Sequence, residues 1–151
     1  MPQTGSPIAQ TVEKRLEALE DERAITQVLY RYATGFDYSR PDELLALFTE
    51  DAVLEIRAAK GGSVRRFEGA TLQKFFKDRP KPSSPLPTSK HLVTAPLIAI
   101  DGNTAKSECY LAVLSARPEG TAVGTYGRYE DRFVKRNGRW LLQERIIHSE
   151  V

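Results

Sequence analysis

The sequence predicts one α+β domain, a cone-shaped, curved antiparallel β-sheet wrapped on N-terminal α-helices. Three observations carry that expectation. Apolar residues recur at three- and four-residue steps through the first third of the chain, which draws the stripe of an amphipathic helix. The last third reads as long strands separated by Asp101-Gly102-Asn103, Arg117-Pro118-Glu119-Gly120 and Asn137-Gly138, the turn chemistry of an antiparallel meander. Helices followed by a run of strands give α+β, and 151 residues suit one domain with a sizeable core.

Residues 1–10, rich in Pro, Gly, Ser and Gln, read as a flexible arm ahead of a single domain over residues 11–151. Val12, Leu16, Leu19, Ile25, Val28, Leu29, Tyr32 and Phe36 form the helical stripe. The charged Glu20-Asp21-Glu22-Arg23 offers a break in it, with Asp21 available as the N-cap of a longer second part. Gly35 and Asp37-Tyr38-Ser39 end the helix. Ser39 can cap a second helix, with Pro41 in its first turn and Asp42-Glu43 at its positive end. Leu44, Leu45, Leu47 and Phe48 give its buried side.

Strands are predicted over residues 52–57 and 64–67 around a Gly61-Gly62 turn, then a short helix over residues 71–77. Pro80, Pro82, Pro85 and Pro87 make residues 78–89 a surface loop and a candidate flap over a pocket. Strands over residues 91–100, 104–116, 122–135 and 139–148 complete the meander. The apolar face of a long twisted meander needs a cover, and the N-terminal helices supply it. A sheet curled around helices leaves a cone with an open end, able to hold a small apolar molecule.

Charge and composition narrow the function. Net charge is +2, and basic residues alternate with acidic ones, as in Glu13-Lys14-Arg15 and Glu130-Asp131-Arg132. Those runs read as solvated surface rather than a nucleic-acid stripe. Cys109 is the only cysteine, so no internal disulfide and no cysteine-based zinc site can form. It alternates with Ser107 and Leu111 and reads as inert core. No apolar run is long enough for a bilayer span or a signal peptide, so a cytoplasmic protein is the default. Phosphate-loop, dinucleotide-binding and nucleophile-elbow motifs are missing, and the two histidines, His91 and His148, lack metal-ligand spacing. The expected chemistry needs no metal and no cofactor.

Asp37 and His91 are the best candidates for that chemistry. A carboxylate at a helix C-terminus meets the negative end of the dipole, a cost of ~0.3–1 kcal/mol. Either Asp37 shapes the turn, as Asp often does, or it points into the open end of the cone and needs a partner. His91 opens a strand directly after the proline-rich loop. It either pins that loop or pairs with Asp37. A carboxylate on one imidazole nitrogen fixes the tautomer and raises the basicity of the other. Tyr32 could add a phenolic donor beside Asp37, or simply pack. Tyr129, Phe133 and Trp140 are expected to line the inner sheet face with Phe36 nearby, whereas Tyr126, Arg128 and Arg132 have the opposite parity and face out. The placement of His148 is open.

Tyr32-Ala33-Thr34-Gly35-Phe36-Asp37, then Leu44 to Val53 with its Phe48-Thr49-Glu50-Asp51-Ala52 run, resembles the opening of SnoaL-like domains of the nuclear transport factor two superfamily. So do His91 ahead of Asp101-Gly102-Asn103 and the ending Gly127 to Phe133 followed by Asn137-Gly138-Arg139-Trp140. The pattern is similar to the scytalone dehydratase and hexachlorocyclohexane dehydrochlorinase branch. That resemblance implies an Asp37–His91 dyad removing a proton during elimination, and a homo-oligomer (dimer or trimer) built on the outer sheet face. The dehydratase's second histidine and two tyrosines have no counterpart here. The expected function is a cofactor-independent lyase or isomerase acting on a small, largely apolar or aromatic molecule. The alternative is a non-catalytic binding or oligomerisation module of the same fold. Polyketide cyclisation or epoxide hydrolysis would be other chemistries for the same cone, the latter calling for further Asp and Arg groups inside it.

Overall fold

A computed structural model describes residues 11–59, 61–80 and 87–150. The expected arm over residues 1–10 and the middle of the proline-rich loop, with its flap role, lie outside these residues. Thr11 caps the first helix, its Oγ1 accepting the Lys14 N–H at 3.3 Å. The chain then runs without a break through α1 (Val12–Asp37), so the helix does not divide at Asp21, and it ends at Asp37-Tyr38 as expected. Asp21 instead accepts hydrogen bonds from Lys135 Nζ at 2.7 Å and Trp140 Nε1 at 2.8 Å. The stripe also changes character along the helix. Ile25, Leu29 and Tyr32 are buried, but Val12, Leu16 and Leu19 are exposed, because none of the described residues covers that side of the first turns of α1.

Arg40 N–H to the Gly35 carbonyl at 2.8 Å closes the end of α1. Ser39 takes φ 51° and does not cap α2 (Pro41–Leu45); Arg40 is its N-cap and contributes no side-chain bond, while Pro41 stands in the first turn as expected. Phe48 belongs to β1 (Phe48–Arg57) rather than to that helix. β2 (Val64–Glu68) turns back along β1, and α3 (Gly69–Lys77) follows, its start secured by Thr71 Oγ1 accepting the Glu68 N–H at 2.9 Å.

β3 (Ser89–Asp101), β4 (Thr104–Arg117), β5 (Gly120–Arg136) and β6 (Arg139–Ser149) form the meander. Asn137 and Gly138 turn at φ 51° and 73°, as a type I′ hairpin requires. The order is β2-β1-β6-β5-β4-β3. One pair departs from the antiparallel expectation: β1 and β6 run parallel. The β1–β2 hairpin and the β3–β6 meander are separated in sequence by α3, so β1 and β6 meet side by side with no turn joining them. β3, an edge strand, carries a bulge between Thr94 and Leu97, with Ala95 at φ 51° before Pro96. Proline has no N–H to donate, so a bulge on an edge is where a strand tolerates it.

The curved, unclosed sheet wraps α1, which packs mainly on β3 and β6. Ile25, Leu29, Leu44, Leu54, Phe76, Phe133 and Leu142 fill the core.

Candidate functional site

Asp37 is the last residue of α1, and His91 lies three residues into β3, opposite Val113. The fold brings them together. The Asp37 carboxylate meets His91 Nδ1 at 2.5 Å and accepts the His91 backbone N–H at 2.9 and 3.2 Å. Their side chains are only 4% and 11% exposed. Three contacts from one residue hold both the ring and the strand that carries it, and they offset the cost of a carboxylate at a helix C-terminus. With Nδ1 facing a carboxylate, the neutral ring carries its proton there and leaves Nε2 as an acceptor.

Phe36 stands beside the pair, its ring edge-on to His91 with centroids 4.8 Å apart. Arg79, just past α3, lays its guanidinium over the Phe36 ring, 3.5 Å from its centroid. Burial pushes this guanidinium below its ordinary value, while Tyr32 and Asp37 pull it back up.

The interior is not the apolar hollow that the sequence suggests. Arg145 of β6 is completely buried and donates to Asp131 of β5 from Nε at 2.7 Å and Nη2 at 2.8 Å. Ser107 Oγ reaches Asp131 at 3.4 Å, so a polar row crosses β4, β5 and β6. The guanidinium is 4.1 Å from the rings of both Tyr32 and Tyr129. Burial alone would push Arg145 down, but the Asp131 charge and its hydrogen bonds hold it above its ordinary value. Burial raises the Tyr32 phenol, and raises that of Tyr129 well above the usual range. Nη1 of Arg145 has no hydrogen-bond partner. Glu130-Asp131-Arg132 is therefore not uniformly solvated surface; its middle residue points inward. The signal was present, since Asp131 stands two residues from both Tyr129 and Phe133 and must share their face.

The remaining candidates separate into near and far. Tyr32 stacks on Phe36 at 5.9 Å but faces Arg145, and the carboxylate bonds of Asp37 go to His91. Tyr129 closes against Tyr32 at 5.9 Å. Phe133 is buried in line with Ala105 and Leu142 across the sheet. Trp140 is not at the pair: its indole is tied to Asp21, some ~24 Å up α1 from Asp37 at 1.5 Å per residue. His148 contacts Glu130, which Arg128 also pairs at 3.1 Å, on the outer face. Tyr126 is exposed on that face, as its parity predicts. Cys109 is buried, and burial pushes its thiol up to about 11.

A groove of about 440 Å³ opens beside this region, lined by Phe67, Thr71, Lys74, Phe75, Asp78, Arg79 and Pro80. Among the described residues no helix is long and apolar enough to cross a membrane.

No curated protein matches the chain. Among solved structures it is similar to an NTF2-like protein with a cystatin-like fold from Novosphingobium aromaticivorans, with TM-score 0.77 and 17% identity, covering 96% of this chain and 92% of that one. An Asp-to-Asn variant of a Mycobacterium tuberculosis protein of unknown function aligns with TM-score 0.74 and 22% identity over 95% of this chain and 78% of that one. A protein from N. aromaticivorans provisionally described as a scytalone dehydratase aligns with TM-score 0.68 and 22% identity, covering 89% and 87%. At these identities the likeness is one of fold. The model of the SnoaL-like domain matches residues 17–146, and the chain belongs to that family.

Proposed function

We propose that this SnoaL-like domain is a cofactor-independent lyase or isomerase of the dehydratase or cyclase type. His91 is its general base, and Asp37 orients and charge-stabilises the imidazole. The observation that carries the reading is the 2.5 Å contact between Asp37 and His91 Nδ1 in an almost solvent-free setting. A base fixed in one tautomer, with a carboxylate ready to balance the imidazolium, is suited to taking a proton from an acidic carbon. Positioned acid–base help of this kind is worth ~10²–10⁴ in rate. Loss of that proton leaves negative charge on the substrate, which a cation or hydrogen-bond donor beside the reacting carbon would stabilise.

The substrate is a small, largely apolar or aromatic molecule, with Phe36 as a wall. Tyr129 belongs to the layer behind Tyr32, and Tyr32 acts through Arg145 rather than on the base. A second copy of the chain is the proposed partner on the outer sheet face, where Leu97, Tyr110, Val123 and Tyr126 are exposed. Epoxide hydrolysis is less well supported. The Asp131 side chain has no exposure and its carboxylate is turned to Arg145.

A non-catalytic binding or assembly module is the second reading. It is favoured by one observation: Tyr32, Tyr129 and Arg145 occupy the cone interior themselves. Deuterium exchange at C1 of 2-tetralone in D₂O separates the two readings, because it needs a carbon-acid base and no knowledge of the natural substrate. The enzyme reading expects wild type to exchange about 100-fold faster than free imidazole at equal concentration, with H91Q and D37N at the imidazole background. Full exchange by both variants would sink it.

A further inference from the structure

We propose that Arg79 and the groove beside it form the recognition site for a planar aromatic molecule bearing an anionic oxygen, such as a carboxylate. The inference deepens the proposed function and rests on it, because it names the class of molecule delivered to His91.

Three observations converge. The first is shape. The groove of about 440 Å³ is the size of a one- or two-ring ligand site. Phe67 and Phe75 form its apolar wall, their rings 4.3 Å apart and tilted by 31°. The second is continuity. Phe75 lies 6.5 Å from Phe36, and Phe36 lies 4.8 Å from the His91 ring. An aromatic surface therefore leads from the groove to the base, and Arg79 belongs to both, lining the groove and covering Phe36 at 3.5 Å.

The third is charge. The other cation in the groove lining, Lys74, is spoken for, its Nζ paired with Asp78 at 2.5 Å. Asp37 is within electrostatic reach of Arg79, but its carboxylate already holds the His91 ring and backbone. Arg79 forms none of the ion pairs found among the described residues, and its buried Nε has no hydrogen-bond partner. A half-buried guanidinium that rests on an aromatic face, with no carboxylate paired to it among the described residues, has an Nε–H whose desolvation is not repaid by a charge-assisted bond. A ligand oxygen at the head of the groove supplies them. The same contact would hold the acidic carbon of a bound ring toward His91.

The test uses two probes of the same shape, 2-naphthoate and the neutral 2-naphthamide, titrated calorimetrically into the full chain. Wild type is expected to bind the acid about tenfold or more tightly than the amide, the effect of one charge-assisted bond. R79M should bind both alike, R79K should keep part of the preference, and F75A should weaken acid and amide together. A circular dichroism melt of each variant confirms folding. The proposal is overturned if R79M keeps the preference, if wild type treats acid and amide alike, or if wild type binds neither below about 10 mM. Neither probe undergoes proton transfer, so failure here leaves the base reading standing. Failure of the 2-tetralone exchange likewise leaves this site standing as a binding site.

Discussion

Replacing Asp131 by Asn tests the buried ionic row more sharply than any other change. The substitution keeps the size of the side chain and removes one charge. Arg145 has no exposure and donates to the Asp131 carboxylate at 2.7 and 2.8 Å. Ser107 contributes only a 3.4 Å contact to the same carboxylate, and the tyrosine faces cannot replace a counter-ion. Breaking one half of such a pair leaves an uncompensated charge in a dry interior, at a cost of about 3–5 kcal/mol. For a chain of this size, 1 kcal/mol moves the thermal midpoint by about 2–4 °C, so D131N should melt roughly 6–20 °C lower. Removing both charges together, as in D131L/R145M, should recover much of that loss, because no ion is then left stranded. Urea titrations of wild type, both single variants and the double variant measure the coupling. A loss below about 1 kcal/mol for D131N, or a double variant equal to the sum of the singles, would refute the reasoning.

Two further outcomes follow from the same contacts. Burial raises the Asp21 carboxyl, but hydrogen bonds from Lys135 and Trp140 and the Lys135 charge outweigh it and hold the group below its ordinary 3.8. A depressed native value stabilises the fold at pH above the unfolded value and loses that stabilisation as pH falls through the native one. D21N should therefore be less stable than wild type at pH 6, and the gap should close as urea midpoints are followed below pH 4. Burial pushes the Cys109 thiol up to about 11. Ellman's reagent at pH 8 should thus leave the native chain unmodified and titrate one thiol after denaturation, since the thiolate is the reactive form.

Much of the fold was legible because its signals are local. The spacing of Ile25, Leu29 and Tyr32 marked the buried face of α1, and Asn137-Gly138 marked the last hairpin. The parallel β1–β6 pair was not legible, since no turn connects those strands and their pairing is decided only by how the sheet curls. Val12, Leu16 and Leu19 keep the helical period without a surface to cover, because periodicity reports what a helix could bury and not whether anything lies against it. At the site, Asp37 and His91 could be paired from a helix end, a strand start and a family resemblance. Asp131 was hidden by its neighbours: Glu130 and Arg132 are surface charges, and only the two-residue step to Tyr129 and Phe133 sets it inside. Arg145 and Arg79 were missed for different reasons. A long cationic side chain on a strand is ordinarily exposed, and a residue after a short helix has no periodicity to betray its direction.

The claim at the centre is that His91 presents an unprotonated Nε2 because Asp37 holds the proton on Nδ1. Nitrogen-15 NMR of the His91 ring reads this directly. In wild type, the neutral ring should give a protonated, pyrrole-type Nδ1 and a bare, pyridine-type Nε2. In D37N the side-chain oxygen can still take the His91 backbone N–H, which turns the amide toward Nδ1 and shifts the proton to Nε2. A wild-type ring already protonated at Nε2 would contradict the account, since that nitrogen could not accept a proton from any substrate.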